Sequence, residues 1–183
     1  MKTSAFALAV ACTVALPLAV AAQEAPKPAP APITASAGLK NLYTNSRNWI
    51  VKAAETMPDE HYAFKPTPDV RSFGELLGHL ANAQYTFCGP VKKVANPNKD
   101  DFEKTATTKA ALVAALKEAF AFCDALYDIP DSGLTEMVKT GQRESAAGYR
   151  LTFNVAHNFE HYGNIVTYMR LKGMVPPSSA KGM

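Results

Sequence analysis

The chain has 183 residues, enough for one folded domain with sequence to spare at its ends. Hydrophobic residues make up 48% and charged residues 19%, an ordinary globular balance. A formal net charge of +3, with no Lys/Arg cluster and no basic-aromatic stripe, gives no electrostatic footprint for nucleic acid, so none is expected as a partner.

The stretch "MKTSAFALAVACTVALPLAVAA" places Lys2 before an apolar run that ends in small residues. Ala19-Val20-Ala21 and Val20-Ala21-Ala22 both resemble an A-x-A cleavage site, which predicts a secretory signal peptide over residues 1–22, cut after Ala21 or Ala22. The protein is therefore expected to be exported, to a periplasm or the extracellular space. An uncleaved anchor is the competing reading, opposed by Pro17 and the small-residue end. Lipidation at Cys12 is a third, on a loose lipobox likeness of Ala9-Val10-Ala11. No second long apolar run follows, so no stable membrane insertion is expected after cleavage. Loss of Lys2 leaves 18 basic against 16 acidic residues. "QEAPKPAPAP" alternates proline with small residues and cannot pack a core; residues 23–34 read as an extended linker. Of three cysteines, Cys88 and Cys123 stay with the mature chain, and export favours a disulfide between them over two buried thiols.

Apolar residues then recur at helical spacing in four stretches. The first runs from about Ser36 to Met57, with Leu39, Leu42, Tyr43, Ser46, Trp49, Ile50, Ala53 and Met57 on one side and Pro58 as its stop. The second opens on the capping box Ser72/Glu75, carries Phe73, Leu76, Leu77, Leu80 and Ala83, and ends near Gly89-Pro90. The third starts near Thr107 or Thr108, carries Leu112, Leu116, Phe120, Cys123 and Tyr127, and is closed by Pro130. The fourth runs from about Ser145 to Lys172, with Gly173 as its stop and Pro176-Pro177 beyond. "DEHYAFKPTPDVR" and "VANPNKDDFEK" read as connections, and "DIPDSGLTEMVKTGQRE" as a long one that holds a short helix at most; no stretch reads as a strand series. Four amphipathic helices pair naturally into an all-α, four-helix bundle over residues 35–179, each burying one stripe.

"HNFEH", residues 157–161, places His157 and His161 four apart on the fourth helix, about 40° apart around its axis. Two imidazoles so placed can bind one ion, although chance also produces this spacing. The string is also H-x-x-E-H, that of inverted zinc peptidases, in which Glu160 would be the general base. That scheme needs an acidic ligand downstream, and no Asp or Glu follows His161. A third ligand must lie upstream. His79 on the second helix is the natural candidate, and a core histidine bonded to a carbonyl is its bland alternative. His61 reads as a loop residue between Asp59-Glu60 and Tyr62.

One His early in the second helix, H-x-x-x-H in the fourth, and the flanking runs "HYAFKPTPDVRSFGELLGHL" and "GNIVTYMRLKGMVPPSS" resemble the DinB superfamily of metal-binding four-helix proteins, from about Gly38 to Ser179. The resemblance implies up-down-down-up topology and a three-histidine site made by His79, His157 and His161. It also implies mixed chemistry, since some members are thiol-dependent transferases or isomerases.

Three neutral imidazoles leave the charge of a divalent ion uncompensated and keep a position open for water or substrate. Zinc is the default ion, with nickel and iron open. Glu160 and Glu75 are the carboxylates considered as proton carriers, each with a bland reading beside it: a solvated charge and a capping-box member. Asn154 and Asn158 are candidates to orient the imidazoles, and Tyr162 and Tyr168 to pack the bundle. Two functions are carried: a metal-dependent hydrolase or thiol-linked transferase acting on a small molecule, and a non-enzymatic metal-binding or structural bundle. A carboxylate behind the ligands and an open cavity would mark the first; a closed apolar site would mark the second. A homodimer is the remaining candidate assembly.

Overall fold

The computed structural model describes residues 31–180. The predicted leader, Cys12 and the linker as far as residue 30 lie outside the described residues.

The first helix, α1 (Ala35–Thr56), starts where the Thr34 hydroxyl accepts from the Ala37 N–H. It stops before Pro58 and buries Tyr43, Ser46, Ile50, Ala53 and Ala54. Leu42, expected on that stripe, is 49% exposed, because the buried line runs through its neighbour Tyr43 instead. Helix α2 (Phe73–Lys92) opens on the predicted capping box: Ser72 Oγ accepts from the Glu75 N–H and Glu75 Oε2 accepts from the Ser72 N–H. Glu75 is thereby accounted for. The Ser72 N–H first, and then Lys65, hold its carboxyl below the usual range. The helix runs on through Gly89-Pro90, where the sequence suggested an end. A proline in a last turn forfeits a single backbone bond, and Lys93, at φ 59°, closes the helix by donating to the Gly89 and Pro90 carbonyls.

A four-residue helix, α3 (Phe102–Thr105), lies in what reads as a plain connection. Helix α4 (Lys109–Asp124) starts at the Thr108 cap and passes into a 3₁₀ turn over Ala125–Asp128. A second 3₁₀ turn, Asp131–Thr135, is the short helix that the long connection allowed for. Beyond it lies an unexpected hairpin of β1 (Met137–Thr140) and β2 (Arg143–Ala146), antiparallel, with Met137 opposite Ala146 and Thr140 opposite Arg143. The expectation of no strands fails here for a physical reason. These strands have four residues each and bury only Val138, so no apolar alternation marks them. What makes the turn is Gly141, at φ +59°. Since Ser145 and Ala146 belong to β2, helix α5 (Ala147–Leu171) begins two residues later than the periodicity suggested.

Contacts along the helices set their directions. Between α1 and α4, Tyr43 bonds Asp124 while Glu55 pairs with Lys117, an antiparallel register. Between α2 and α5, Tyr168 donates to the Arg71 carbonyl at one end and Asn154 reaches Gln84 and Cys88 at the other, again antiparallel. Between α2 and α4, Gly74 lies against Leu112 near the helix starts and Cys88 bonds Cys123 near the ends, so these two are parallel. The order is up-down-down-up. The Cys88–Cys123 disulfide, with Cα atoms 5.6 Å apart, ties α2 to α4 in the interior. Trp49 stacks on Tyr162 and pins α1 to α5.

Candidate metal centre

His79 on α2 and His157 and His161 on α5 meet where these antiparallel helices cross. His157 Nε2 lies 3.2 Å from His79 Nε2 and 3.1 Å from His161 Nε2, and the three residues' ring nitrogens lie within 4.8 Å of one another. Ligands at 2.0–2.1 Å from a tetrahedral ion sit about 3.3–3.4 Å apart. Two of the three Nε2 pairs stand at nearly that separation, so the group is gathered around a space that could hold one divalent ion, and its own hydrogen bonds do not explain the gathering. A neutral imidazole has one N–H, so three convergent nitrogens cannot all be paired through one another.

The opposite ring edges show how the rings are held. Glu103 Oε2 lies 3.2 Å from His79 Nδ1, while Oε1 accepts from Arg71 Nε at 2.9 Å. A carboxylate on Nδ1 fixes the proton there and leaves the Nε2 lone pair for an ion. Asn164 Nδ2 lies 3.3 Å from His161 Nδ1, and turning the amide over would let its oxygen accept an N–H there. His157 Nδ1 has no protein partner among the described residues. Its imidazole is pushed down to about 4, by burial first and then by His161, His79 and Arg71; burial also lowers His161. Both shifts favour the neutral imidazole that a metal ligand needs.

Glu103 reaches His79 because α3 seats on α2 at Gly78. A Cβ at Gly78 would lie 2.6 Å from the Phe102 carbonyl oxygen and 2.7 Å from Glu103 N and Cα. Asn82 completes the seat: its side-chain oxygen accepts from the Phe102 N–H and its amide donates to Asp101. Neither Glu103 nor Arg71 stands out in the sequence. Glu103 sits in a charged connection, and the local signal is Gly78, a small residue one turn from Gly74 and one turn from Asn82 on α2.

The other candidates fall elsewhere. Asn154 and Asn158 are fully buried but turn away from the rings toward Gln84, which accepts from Asn154 at 2.9 Å and donates to Asn158 at 2.7 Å; Asn154 also donates to Tyr127. They do not orient the imidazoles. They build a buried amide network beside the disulfide. Glu160 is exposed and makes no hydrogen bond or ion pair among the described residues. His61 closes a 3₁₀ turn and does not join the histidine group. Tyr162 and Tyr168 pack the bundle and spend their hydroxyls on Ser178 and the Arg71 carbonyl.

Beside the histidines, a cavity of about 530 Å³ opens between the 66–71 segment and α5. His161, Asn164 and Thr167 line one side, and Thr67, Asp69 and Arg71 the other. A larger cavity of about 750 Å³, between the end of α2 and the hairpin, contains none of the three histidines.

Fold and site together define an up-down-down-up helical bundle with a three-histidine centre between antiparallel helices. The sequence pattern of the DinB superfamily matches residues 42–165, and the chain belongs to that superfamily. It is 24% identical to the uncharacterized protein YjoA of Bacillus subtilis (strain 168) over 133 residues, 72% of this chain and 86% of that protein. The crystal structure of a DinB-like protein from Bacillus cereus ATCC 10987 superposes with a TM-score of 0.64 at 19% identity, covering 76% of this chain and 94% of the other. The crystal structure of YjoA gives 0.60 at 22% identity, covering 80% and 99%. A conserved protein from Enterococcus faecalis gives 0.60 at 14% identity, covering 76% and 98%. At these identities the structures speak for the fold.

Proposed function

We propose that this is an exported metal-dependent hydrolase that holds one divalent ion, zinc, on His79, His157 and His161 and acts on a small molecule. The observation that carries the reading is the convergence of three Nε2 atoms beside an open cavity, with a carboxylate behind one ring. A bound divalent ion supplies Lewis-acid polarisation of an oxygen at such a site. The chain's residues do the rest. Glu103 holds the His79 proton on Nδ1, and burial keeps His157 and His161 uncharged. The cavity admits a substrate against His161, and Asp69 is the acidic residue of its lining. Export supports hydrolysis over thiol transfer, because a cytosolic thiol cofactor is not supplied outside the cell.

Elemental analysis tests the foundation. Wild type should carry about one zinc per chain, and His157→Ala should lose most of it while staying helical by circular dichroism. Equal metal in the two proteins would remove the site. An ester, amide and phosphoester panel on metal-loaded protein then tests the reaction class.

A further inference from the structure

Arg71 is the one basic residue lining the cavity that also borders His161. Its backbone is fixed, since the Tyr168 hydroxyl donates to the Arg71 carbonyl at 2.7 Å. Its side chain is fixed on one edge, where Nε donates to Glu103. Among the described residues its terminal N–H groups have no acceptor. A guanidinium held this way presents the fork that carboxylates and phosphates match in two parallel bonds, with little of its side-chain freedom left to lose on binding. The volume, about 530 Å³, suits a small molecule.

We infer that the cavity bounded by Arg71 and His161 is an anion subsite, which receives the carboxylate or phosphate of a small substrate on the Arg71 fork while the rest of the molecule extends to the histidine centre. Thr67, Asn164 and Thr167 supply neutral hydrogen-bonding groups around it. Charge favours an anion. With a divalent ion on the histidines, the ion and Arg71 together exceed Glu103 and Asp69 by one positive charge. Asp69 repels an anion placed against it and so confines the group to the Arg71 side. The subsite deepens the proposed metal-dependent reading by naming a substrate class, but the fork stands on the Arg71–Glu103 geometry alone.

The test is calorimetric titration of zinc-loaded protein with inorganic phosphate and, separately, with succinate. Zinc content is measured on every sample. Wild type should bind one anion per chain, and whichever anion binds more tightly names the substrate's group. Arg71→Ala should weaken that binding at least tenfold. Arg71→Lys, which keeps the charge and loses the fork, should recover only part of it. Because Arg71→Ala also frees Glu103, a second variant, Thr167→Trp, fills the cavity from α5 without touching the ion pair; it too should weaken binding at wild-type zinc content. Absence of saturable binding of either anion, or equal binding by wild type and both cavity variants, would overturn the subsite. If the protein holds no zinc yet still binds an anion through Arg71, the metal reading falls and the subsite stands. If zinc is held and anion binding ignores Arg71, the subsite falls alone.

Discussion

Gly78→Ala should weaken metal binding without altering any ligand. The new Cβ would meet backbone atoms of α3 at 2.6–2.7 Å, and ordinary contact begins near 3.4 Å, so α3 must retreat by about 0.7–0.8 Å. A retreat of that size along the contact carries Glu103 Oε2 from 3.2 Å to as much as about 4 Å from His79 Nδ1, beyond hydrogen-bond range. Losing a carboxylate behind a ligating histidine typically costs 10–100-fold in metal affinity. Stability moves less. Overpacking costs about 1–3 kcal/mol, and the gain in helix propensity from Gly to Ala offsets about 1 kcal/mol, leaving a net loss of roughly 0–2 kcal/mol. Competition titration against a chromophoric zinc chelator measures the affinity, and urea unfolding of the metal-free proteins measures the stability. Glu103→Gln is the partner variant, and the double variant should be no worse than the weaker single, since both remove one contact. Wild-type zinc affinity in Gly78→Ala, with Glu103→Gln impaired, would refute the idea that α3's seat positions the carboxylate.

Replacing Cys88 and Cys123 together by Ala should lower unfolding free energy by about 3–4 kcal/mol, the chain-entropy value for a loop with a separation of 35 residues; a loss under about 1 kcal/mol in urea unfolding would contradict it. Stability of the metal-free protein should fall as pH drops from about 6.5 toward 4. In that window the unfolded chain's imidazole takes up a proton that folded His157, pushed down to about 4, refuses, so the unfolded state binds more protons; above about 6.5 the group contributes nothing to the slope. His157→Gln should flatten the dependence, and parallel unfolding midpoints for the two proteins across pH 7, 5.5 and 4.5 would argue against the assignment. Glu160→Gln should leave zinc content near wild type, and metal-loaded protein should not cleave peptides. Peptide cleavage abolished by Glu160→Gln would restore the inverted-peptidase reading of "HNFEH".

Much of this protein is decided by short-range rules that the sequence carries by itself. The caps at Ser72 with Glu75 and at Thr108 are local hydrogen bonds, and both form where the residue types place them, while Thr34, which reads as the end of the linker, caps α1 in the same way. His157 and His161 share a helix face because four residues make about one turn, and His79 stands out as the remaining histidine on one of the four periodic stretches. Other features depended on which surfaces meet. The hairpin buries only Val138, too little to imprint an apolar alternation on its residues. Asn154 and Asn158 lie close to the histidines in sequence, yet their sides of α5 face Gln84 and the disulfide, so they bond in the bundle interior, with Asn154 Oδ1 and Asn158 Nδ2 left without a partner among the described residues. Glu103 lies 24 residues beyond His79, in a stretch whose polarity reads as a solvated loop. Only the packing of α3 into the space left by Gly78 turns that carboxylate onto an imidazole and aligns Arg71 beside the cavity. Periodicity reports the direction a side chain leaves its own helix; what it meets there is set by the partner surface, and no local pattern encodes that.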